Sequence, residues 1–176
     1  LAGAVALYVV FALAWWGGKS DLHDAANKGD AAAVAELISL GVRLDARDVY
    51  GWTALHIAVF KGRERAAKVL IEAGAALDLQ TGDGYVPILM AIAKGRQEIA
   101  ALLIKAGADI SVVDKSHKSR LTVLMVASKL GRAGVVELLL EIGTDVNQTF
   151  TKSGTALMQA SELGHISIVE MLVDHG

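Results

Sequence analysis

The sequence predicts an all-α solenoid of stacked helix–turn–helix units, preceded by a single apolar helix over residues 1–18. One series of glycines closes the first helix of each unit, with spacings of 33, 33, 36 and 33 residues. A second series closes the second helix and keeps the same spacings, so the two series together indicate one repeat. The two series are Gly29, Gly62, Gly95, Gly131, Gly164 and Gly41, Gly74, Gly107, Gly143, Gly176.

Composition narrows the class of protein. A length of 176 residues fits one domain with a short extra segment, and 53% apolar residues with a single proline favour helix. The net charge of −2 argues against a general nucleic-acid binder, because such proteins need a basic surface. Cysteine is absent, which excludes disulfides and thiolate chemistry but leaves the cellular compartment open.

Residues 1–18 carry no charge and have the length of a membrane-spanning helix. In that interpretation Trp15 and Trp16 lie at the membrane interface, and Lys19 leads into water. The fourteen residues before Trp15 reach only about 21 Å, against a hydrocarbon core of about 30 Å, so we expect a longer span whose first part is missing. Two alternatives remain: a secretory signal peptide cleaved at Ala12-Leu13-Ala14, and an apolar helix that caps the first unit.

The first helix of the first unit is more polar than the first helices of the later units. Asp21, Asp24 and Asp30 lie in or beside this helix, which suits a terminal unit whose outer face has no neighbour. An uncharged anchor followed by this acidic start favours a repeat domain outside the cytoplasm. The repeat domain is predicted over residues 19–176. Its units are predicted at about 20–50, 51–83, 84–119, 120–153 and 154–176.

The second unit shows the pattern most clearly. Thr53 is expected to cap the first helix and Gly62 to end it, while the second helix ends at Gly74. Both helices have apolar positions on more than one side, so a lone hairpin would expose apolar surface to water. Each unit therefore needs a neighbour on both sides.

The later units keep this pattern with local changes. Pro87 takes the first helical position of the third unit, where a missing amide hydrogen costs nothing. The next connection is three residues longer, and its residues 114–120 include several basic side chains. We expect this insertion to protrude.

The second unit resembles the ankyrin repeat, a 33-residue unit with a T-P-L-H-x-A motif. The resemblance lies in TALHIA at residues 53–58, in Gly62 and in AGA at residues 73–75. It extends over about 157 residues in five copies, from Ser20 to the end of the sequence. Some copies depart from the motif, whose proline occurs only at Pro87. The motif's histidine occurs at His23 and His56, and Leu89, Met125 and Met158 replace it elsewhere.

The resemblance implies a curved stack of helix pairs with turn-like fingers and a concave face that binds another protein. It places the two residues before each first-helix glycine on that face, so that Lys28, Lys61 and Lys94 form a row. Aromatic residues from the fingers and from the first helix of the second unit lie beside this row, as in many interface hot spots. The predicted partner-binding residues are Lys28, Tyr50, Trp52, Phe60, Lys61, Tyr85 and Lys94.

Structural explanations for the same residues stay open. A lysine before a helix-ending glycine also interacts favourably with the helix dipole. Trp52 and Tyr85 could equally serve to pack one finger on the next.

No catalytic or metal chemistry is predicted. The five histidines do not have the spacing of metal ligands, and His23 and His56 are expected to be structural imidazoles bonded to neighbouring turns. Gly82-Asp83-Gly84 lacks the lysine of a phosphate-binding loop and is expected to be a turn. We expect no cofactor, no small-molecule substrate and no nucleic-acid partner.

The sequence therefore predicts a single-pass membrane protein whose repeats bind another protein and which is not an enzyme. One alternative is an accessory or structural subunit of a larger membrane protein complex. Another is an exported soluble repeat protein whose mature chain begins near Trp15.

Overall fold

The computed structural model describes residues 18–114, 120–149 and 154–176. Within these ranges ten α-helices form five consecutive pairs, as the predicted solenoid of helix–turn–helix units requires. The helices are α1 Gly18–Lys28, α2 Ala31–Ser39, α3 Ala54–Lys61, α4 Glu64–Glu72, α5 Pro87–Ala93, α6 Gln97–Lys105, α7 Val123–Lys129, α8 Ala133–Glu141, α9 Ala156–Glu162 and α10 Ile166–Asp174.

The helices lie in two layers. The first helices of successive units contact one another in the order α1, α3, α5, α7 and α9, and the second helices do the same in the order α2, α4, α6, α8 and α10. The core lies between the layers and between neighbouring units. It includes a ladder of leucines at one position of the second helices, namely Leu70, Leu103, Leu139 and Leu172, which are at most 3% exposed. Burying each such side chain stabilises the fold by about 1.5–3 kcal/mol.

The glycines that close the first helices also lie at the joints between units. Gly62 has a φ of +68°, as the prediction of a helix-ending glycine requires. A Cβ atom built on Gly62 would lie 2.7 Å from Arg96 Cζ of the next unit, so this glycine leaves room for the arginine as well as reversing the chain. The same relation holds at three other joints, where Arg63, Arg132 and His165 cover Gly29, Gly95 and Gly131.

Side-chain hydrogen bonds across the joints accompany this packing. Arg63 Nε donates to the carbonyl of Asn27 in the preceding unit at 3.0 Å. Arg132 Nε donates to the carbonyl of Ile92 at 3.3 Å. These bonds tie the start of helix α4 to the end of α1 and the start of helix α8 to the last turn of α5.

Aspartates join neighbouring units at the turns that follow the second helices. Asp45 Oδ1 accepts from the amide of Ala76, and Asp78 Oδ1 accepts from the amide of Asp109, each at 2.9 Å. The third member of this series is Ser111, 33 residues after Asp78. Its amide and hydroxyl both donate to the Asp109 carboxylate within the same turn, at 2.8 and 2.6 Å. These two hydrogen bonds hold the pKa of the Asp109 carboxyl below its ordinary value.

The fingers of the second and third units are joined through their backbones. Asp48 Oδ1 accepts from the amides of Tyr50 and Trp52, both at 2.8 Å, which closes the turn around Gly51. Gly51 has a φ of +79°, the positive value expected for this turn. The amide of Gly82 in the next finger donates to the Tyr50 carbonyl at 2.8 Å. This bond sets the register of the two fingers.

The all-α prediction missed one element. Strands β1 Val113–Asp114 and β2 Leu121–Thr122 pair antiparallel on either side of the predicted insertion. Three added residues lengthen this connection enough for the chain to pair with itself before α7 begins. Residues 115–119, which make up most of the insertion, lie outside the described residues.

The predicted apolar segment also lies almost wholly outside the described residues. Helix α1 begins at Gly18, where the described residues begin. The predicted boundary between the apolar segment and the repeats, at residues 18 and 19, therefore stays a prediction. Trp15, Trp16 and the side chain of Lys19 are not described, and their predicted place at a membrane interface remains untested. Among the helices from Gly18 onwards, none combines the length and apolarity that crossing a membrane requires.

The finger joint generates a first prediction. A Cβ atom at position 51 would lie 2.7 Å from the Gly82 amide nitrogen, so Gly51→Ala forces the two fingers apart as well as straining a positive φ. We expect a loss of about 2–3 kcal/mol in the free energy of unfolding, measured by urea denaturation.

Gly84→Ala is the matched control. Gly84 holds the equivalent place in the third unit with a φ of +84°, and no described residue lies within 4 Å of its added Cβ. Gly84→Ala should lower the free energy of unfolding by only about 1 kcal/mol, the cost of a positive φ in a residue with a Cβ atom. Equal losses for the two variants would contradict a role for the contact between fingers.

Candidate functional site

An aromatic pair lies along helix α3, beside the finger of the second unit. Trp52 precedes the helix cap and Phe60 lies in the last turn, yet their ring centroids are only 5.3 Å apart in an edge-to-face arrangement. Both side chains are half-buried and pack on the core with part of their surface. Such pairs contribute about 0.5–1.5 kcal/mol beyond the burial of their area. The pair is therefore a rigid, partly exposed apolar surface.

Two lysines converge on this pair. Lys94 Nζ lies 4.5 Å from the centroid of the Phe60 ring, although it belongs to the next unit, and Lys61 Nζ lies 5.8 Å from it. Both distances fall within the range of cation–π attraction. Neither lysine has a described carboxylate within 4 Å of its ammonium group.

The third predicted lysine lies in a different environment. Lys28 is exposed, but it lines a groove between the two helices of the first unit together with several acidic residues. The acidic residues of this groove are Asp21, Asp24, Asp30 and Glu36. The predicted row of three lysines therefore divides into a pair at Phe60 and a single lysine in an acidic groove.

The two predicted finger tyrosines extend into solvent. Tyr50 is 73% exposed and Tyr85 is 43% exposed. The Tyr85 amide donates to Thr81 Oγ1 at 3.1 Å, and the Tyr50 carbonyl accepts from the next finger, so the backbone of both residues is fixed. The alternative that these residues serve to pack one finger on the next therefore fits Trp52 in part. The phenol rings of Tyr50 and Tyr85 remain accessible to a partner. A role in binding stays a prediction for all seven residues.

Histidines hold Trp52 and the next finger in place. The carbonyl of Trp52 accepts from His23 Nε2 at 3.0 Å, and the carbonyl of Leu79 accepts from His56 Nε2 at 2.9 Å. The prediction that these two imidazoles are structural and bond neighbouring turns is confirmed. Each links a first helix to the finger of the following unit.

His56 is buried and neutral. Its Nδ1 accepts from the Thr53 amide at 3.2 Å, which assigns the ring proton to Nε2. Burial of the ring lowers the pKa of His56 below the ordinary value of 6.5, and this outweighs the opposite effect of the Leu79 carbonyl. In the fourth unit Met125 takes this place, with its sulfur 3.5 Å from the Thr122 amide.

The sequence shows that the lysine row is broken in the last two units, but the apolar residues that continue it were not predicted as part of the site. Leu130 and Leu163 stand in the fourth and fifth units where Lys61 and Lys94 stand in the second and third, and they are 38% and 52% exposed. The repeat register contained this signal, since these leucines also precede the helix-ending glycines. They show that the same row changes from charged to apolar along the stack.

The described residues contain no group of three or more histidine, cysteine, aspartate or glutamate side chains placed to hold a metal ion. The arrangement offers surface for contact instead: exposed phenol rings, a half-buried aromatic pair and cations without carboxylate partners. These are groups that bind another macromolecule by packing and charge.

Comparison with known families agrees with the repeat pattern. A family model described as ankyrin repeats (3 copies) matches residues 22–114 and again residues 111–176. A search of curated proteins found none that matches the chain significantly.

His56 predicts a dependence of stability on pH. Its folded pKa lies below its unfolded value, so its contribution is complete above pH 6.5 and is lost as the pH falls towards the folded pKa. Between pH 7.5 and 5.5 the free energy of unfolding should therefore decrease, by up to about 1.4 kcal/mol per pH unit below the unfolded pKa. Urea denaturation at several pH values measures this.

His56→Met, which copies the arrangement at Met125, is the control for the other titrating groups. It should be less stable at pH 7.5, because the bond to the Leu79 carbonyl is lost, but its stability should change less with pH. Parallel pH profiles of the two proteins would show that His56 is not the responsible group.

Proposed function

The chain belongs to the ankyrin-repeat family, and from this premise we propose that it is a non-catalytic protein–protein interaction module whose binding surface centres on its second and third repeats. The observation that supports this most directly is the half-buried aromatic pair Trp52 and Phe60, which lies beside exposed cations and on the same repeats as the exposed tyrosines Tyr50 and Tyr85. Aromatic residues beside cations are the composition that interface hot spots favour.

Rigidity of this surface supports the same proposal. The finger of Tyr50 is tied to the next finger through its carbonyl, and Trp52 is held through its own carbonyl by the preceding repeat. A backbone already fixed before binding loses little conformational entropy on binding, which improves affinity for a given contact area. Tyr50 and Tyr85 would then supply the outer contacts, around the centre at Phe60.

We further propose that residues 1–18 hold this module at a membrane by a single span, with the repeats outside the cytoplasm. The support is the uncharged sequence of that segment and the acidic residues Asp21 and Asp24 that follow it. Protease treatment of intact cells would then digest the repeat domain, whereas a cytoplasmic domain would be protected.

Two alternative functions can be distinguished from this proposal by experiment. A stoichiometric subunit of a membrane protein complex would purify with fixed partners after detergent extraction, whereas a tethered adaptor would purify alone or with variable partners. An exported soluble protein would show a mature chain beginning near Trp15 by intact mass.

Binding by the fingers is tested with a photo-crosslinking amino acid placed at position 50 or 85 in cells that produce the full chain. We expect discrete protein adducts from both positions, identified by mass spectrometry. Tyr85→Ala should lower the yield of the adduct from position 50 at least about tenfold, because the two rings contact the same partner.

Position 142 is the matched control site, since Ile142 is 50% exposed and follows a second helix. Crosslinks there should not depend on Tyr50 or Tyr85. Equal adducts from positions 50, 85 and 142, or none from the finger positions, would rule out this surface.

Membrane attachment is tested by flotation of the full chain with lipid vesicles. The native chain should float, and Val5→Lys combined with Leu7→Lys should not, because these positions lie near the bilayer centre and each lysine there costs about 2.5–3.5 kcal/mol. Ile142→Lys combined with Val173→Lys, two exposed positions in the repeats, should float like the native chain. Flotation of the first double variant would refute a spanning segment.

A further inference from the structure

A Lys-Gly-Arg sequence occurs twice, at residues 61–63 and 94–96, in the same position of the second and third repeats. The other repeats lack the pair of cations. The first has lysine and aspartate around its glycine at residues 28–30, and the last two have leucine before it, at Leu130 and Leu163. Positive charge is therefore concentrated at one joint of the row.

The two lysines of this joint share one aromatic ring. Lys61 and Lys94 both lie over Phe60, at 5.8 and 4.5 Å from its centroid, and both are exposed. The two like charges repel each other, and no described carboxylate lies within 4 Å of either ammonium group. Carboxylates of an incoming partner would therefore interact favourably with both lysines.

Arg96 adds a third cation to this joint and lacks the hydrogen bond that its counterparts form. Its Nε is buried and has no hydrogen-bond acceptor among the described residues. Arg63 and Arg132 use the same atom to bond a carbonyl of the preceding repeat. The guanidinium of Arg96 instead lies against Gly62, the residue that follows Lys61. Arg96 therefore adds positive charge to this joint, while its buried Nε stays out of reach of a partner.

The row continues with apolar side chains. Leu130, one repeat beyond Lys94, is 38% exposed, and Leu163, a further repeat on, is 52% exposed. Packed helices lie about 8–10 Å apart, and an extended chain advances about 3.3 Å per residue. A peptide crossing the row would therefore advance by roughly three residues per repeat.

We propose that this row binds an extended acidic peptide, with carboxylates at Lys61 and Lys94 and an apolar side chain at Leu130 about three residues further along. This deepens the proposed function and rests on it. The occupant follows from charge complementarity at repeats two and three and from the apolar change at repeat four. Phe60 and Trp52 provide the surface against which the peptide backbone lies.

The experiment selects from a random library of displayed peptides on the full chain in mild detergent. Selected sequences should be enriched in Asp and Glu, with an apolar residue about three positions away. Lys61→Glu combined with Lys94→Glu should select Lys and Arg instead. It should also bind the peptides selected by the native chain roughly tenfold more weakly.

Arg65→Glu combined with Lys105→Glu is the matched control, since it makes the same charge change at exposed positions on the second-helix layer. It should select the same peptides as the native chain. Circular dichroism checks that both double variants are folded.

Four outcomes would overturn the proposal: no selected peptides, peptides without acidic enrichment, a shift in preference that the control shares, and displacement of the peptides by an equimolar oligonucleotide. The last would indicate recognition of phosphate rather than carboxylate. Finger-dependent crosslinking at positions 50 and 85 is a separate measurement. If it persists while the selection fails, the acidic peptide is wrong and the proposed function stands.

Discussion

No helix pair in this chain can cover its own apolar surface, and the rest of the structure follows from that constraint. Each pair is stable because its neighbours bury what it leaves exposed, so stability resides in the joints as much as in the repeats. The joints meet this need in two ways. Apolar ladders such as the one from Leu70 to Leu172 supply the energy, and directional contacts such as Arg63 to the Asn27 carbonyl set the geometry.

The fold could be predicted from the sequence because glycines recur at the same two positions of every repeat. Gly51 and Gly62 adopt positive φ values that other residues reach only with strain, so their positions mark turns without any knowledge of tertiary contacts. The two-residue strands β1 and β2 could not be predicted, because pairing of so short a segment depends on how the flanking repeats place its ends.

The candidate site was predicted less well, for a related reason. The period identified Lys61 and Lys94 as equivalent positions but could not show that both reach the Phe60 ring, since that depends on the twist between repeats. It also placed Lys28 in the same row, whereas the acidic side chains of the first repeat surround that residue. Equivalent positions in successive repeats have equivalent Cα positions. The residues that surround each side chain determine what that side chain contacts.

The joint between the third and fourth repeats differs from the two before it in the hydrogen bonds that would resist a pulling force. Asp45 and Asp78 each bond across their joints, while Ser111 turns back to Asp109 within its own turn, and no described side chain replaces that tie. The described side-chain hydrogen bond that still joins these two repeats is the one from Arg132 Nε to the Ile92 carbonyl. Load passing along the stack would therefore cross this joint through that contact and the apolar core, and not through the turns that carry it at the two joints before.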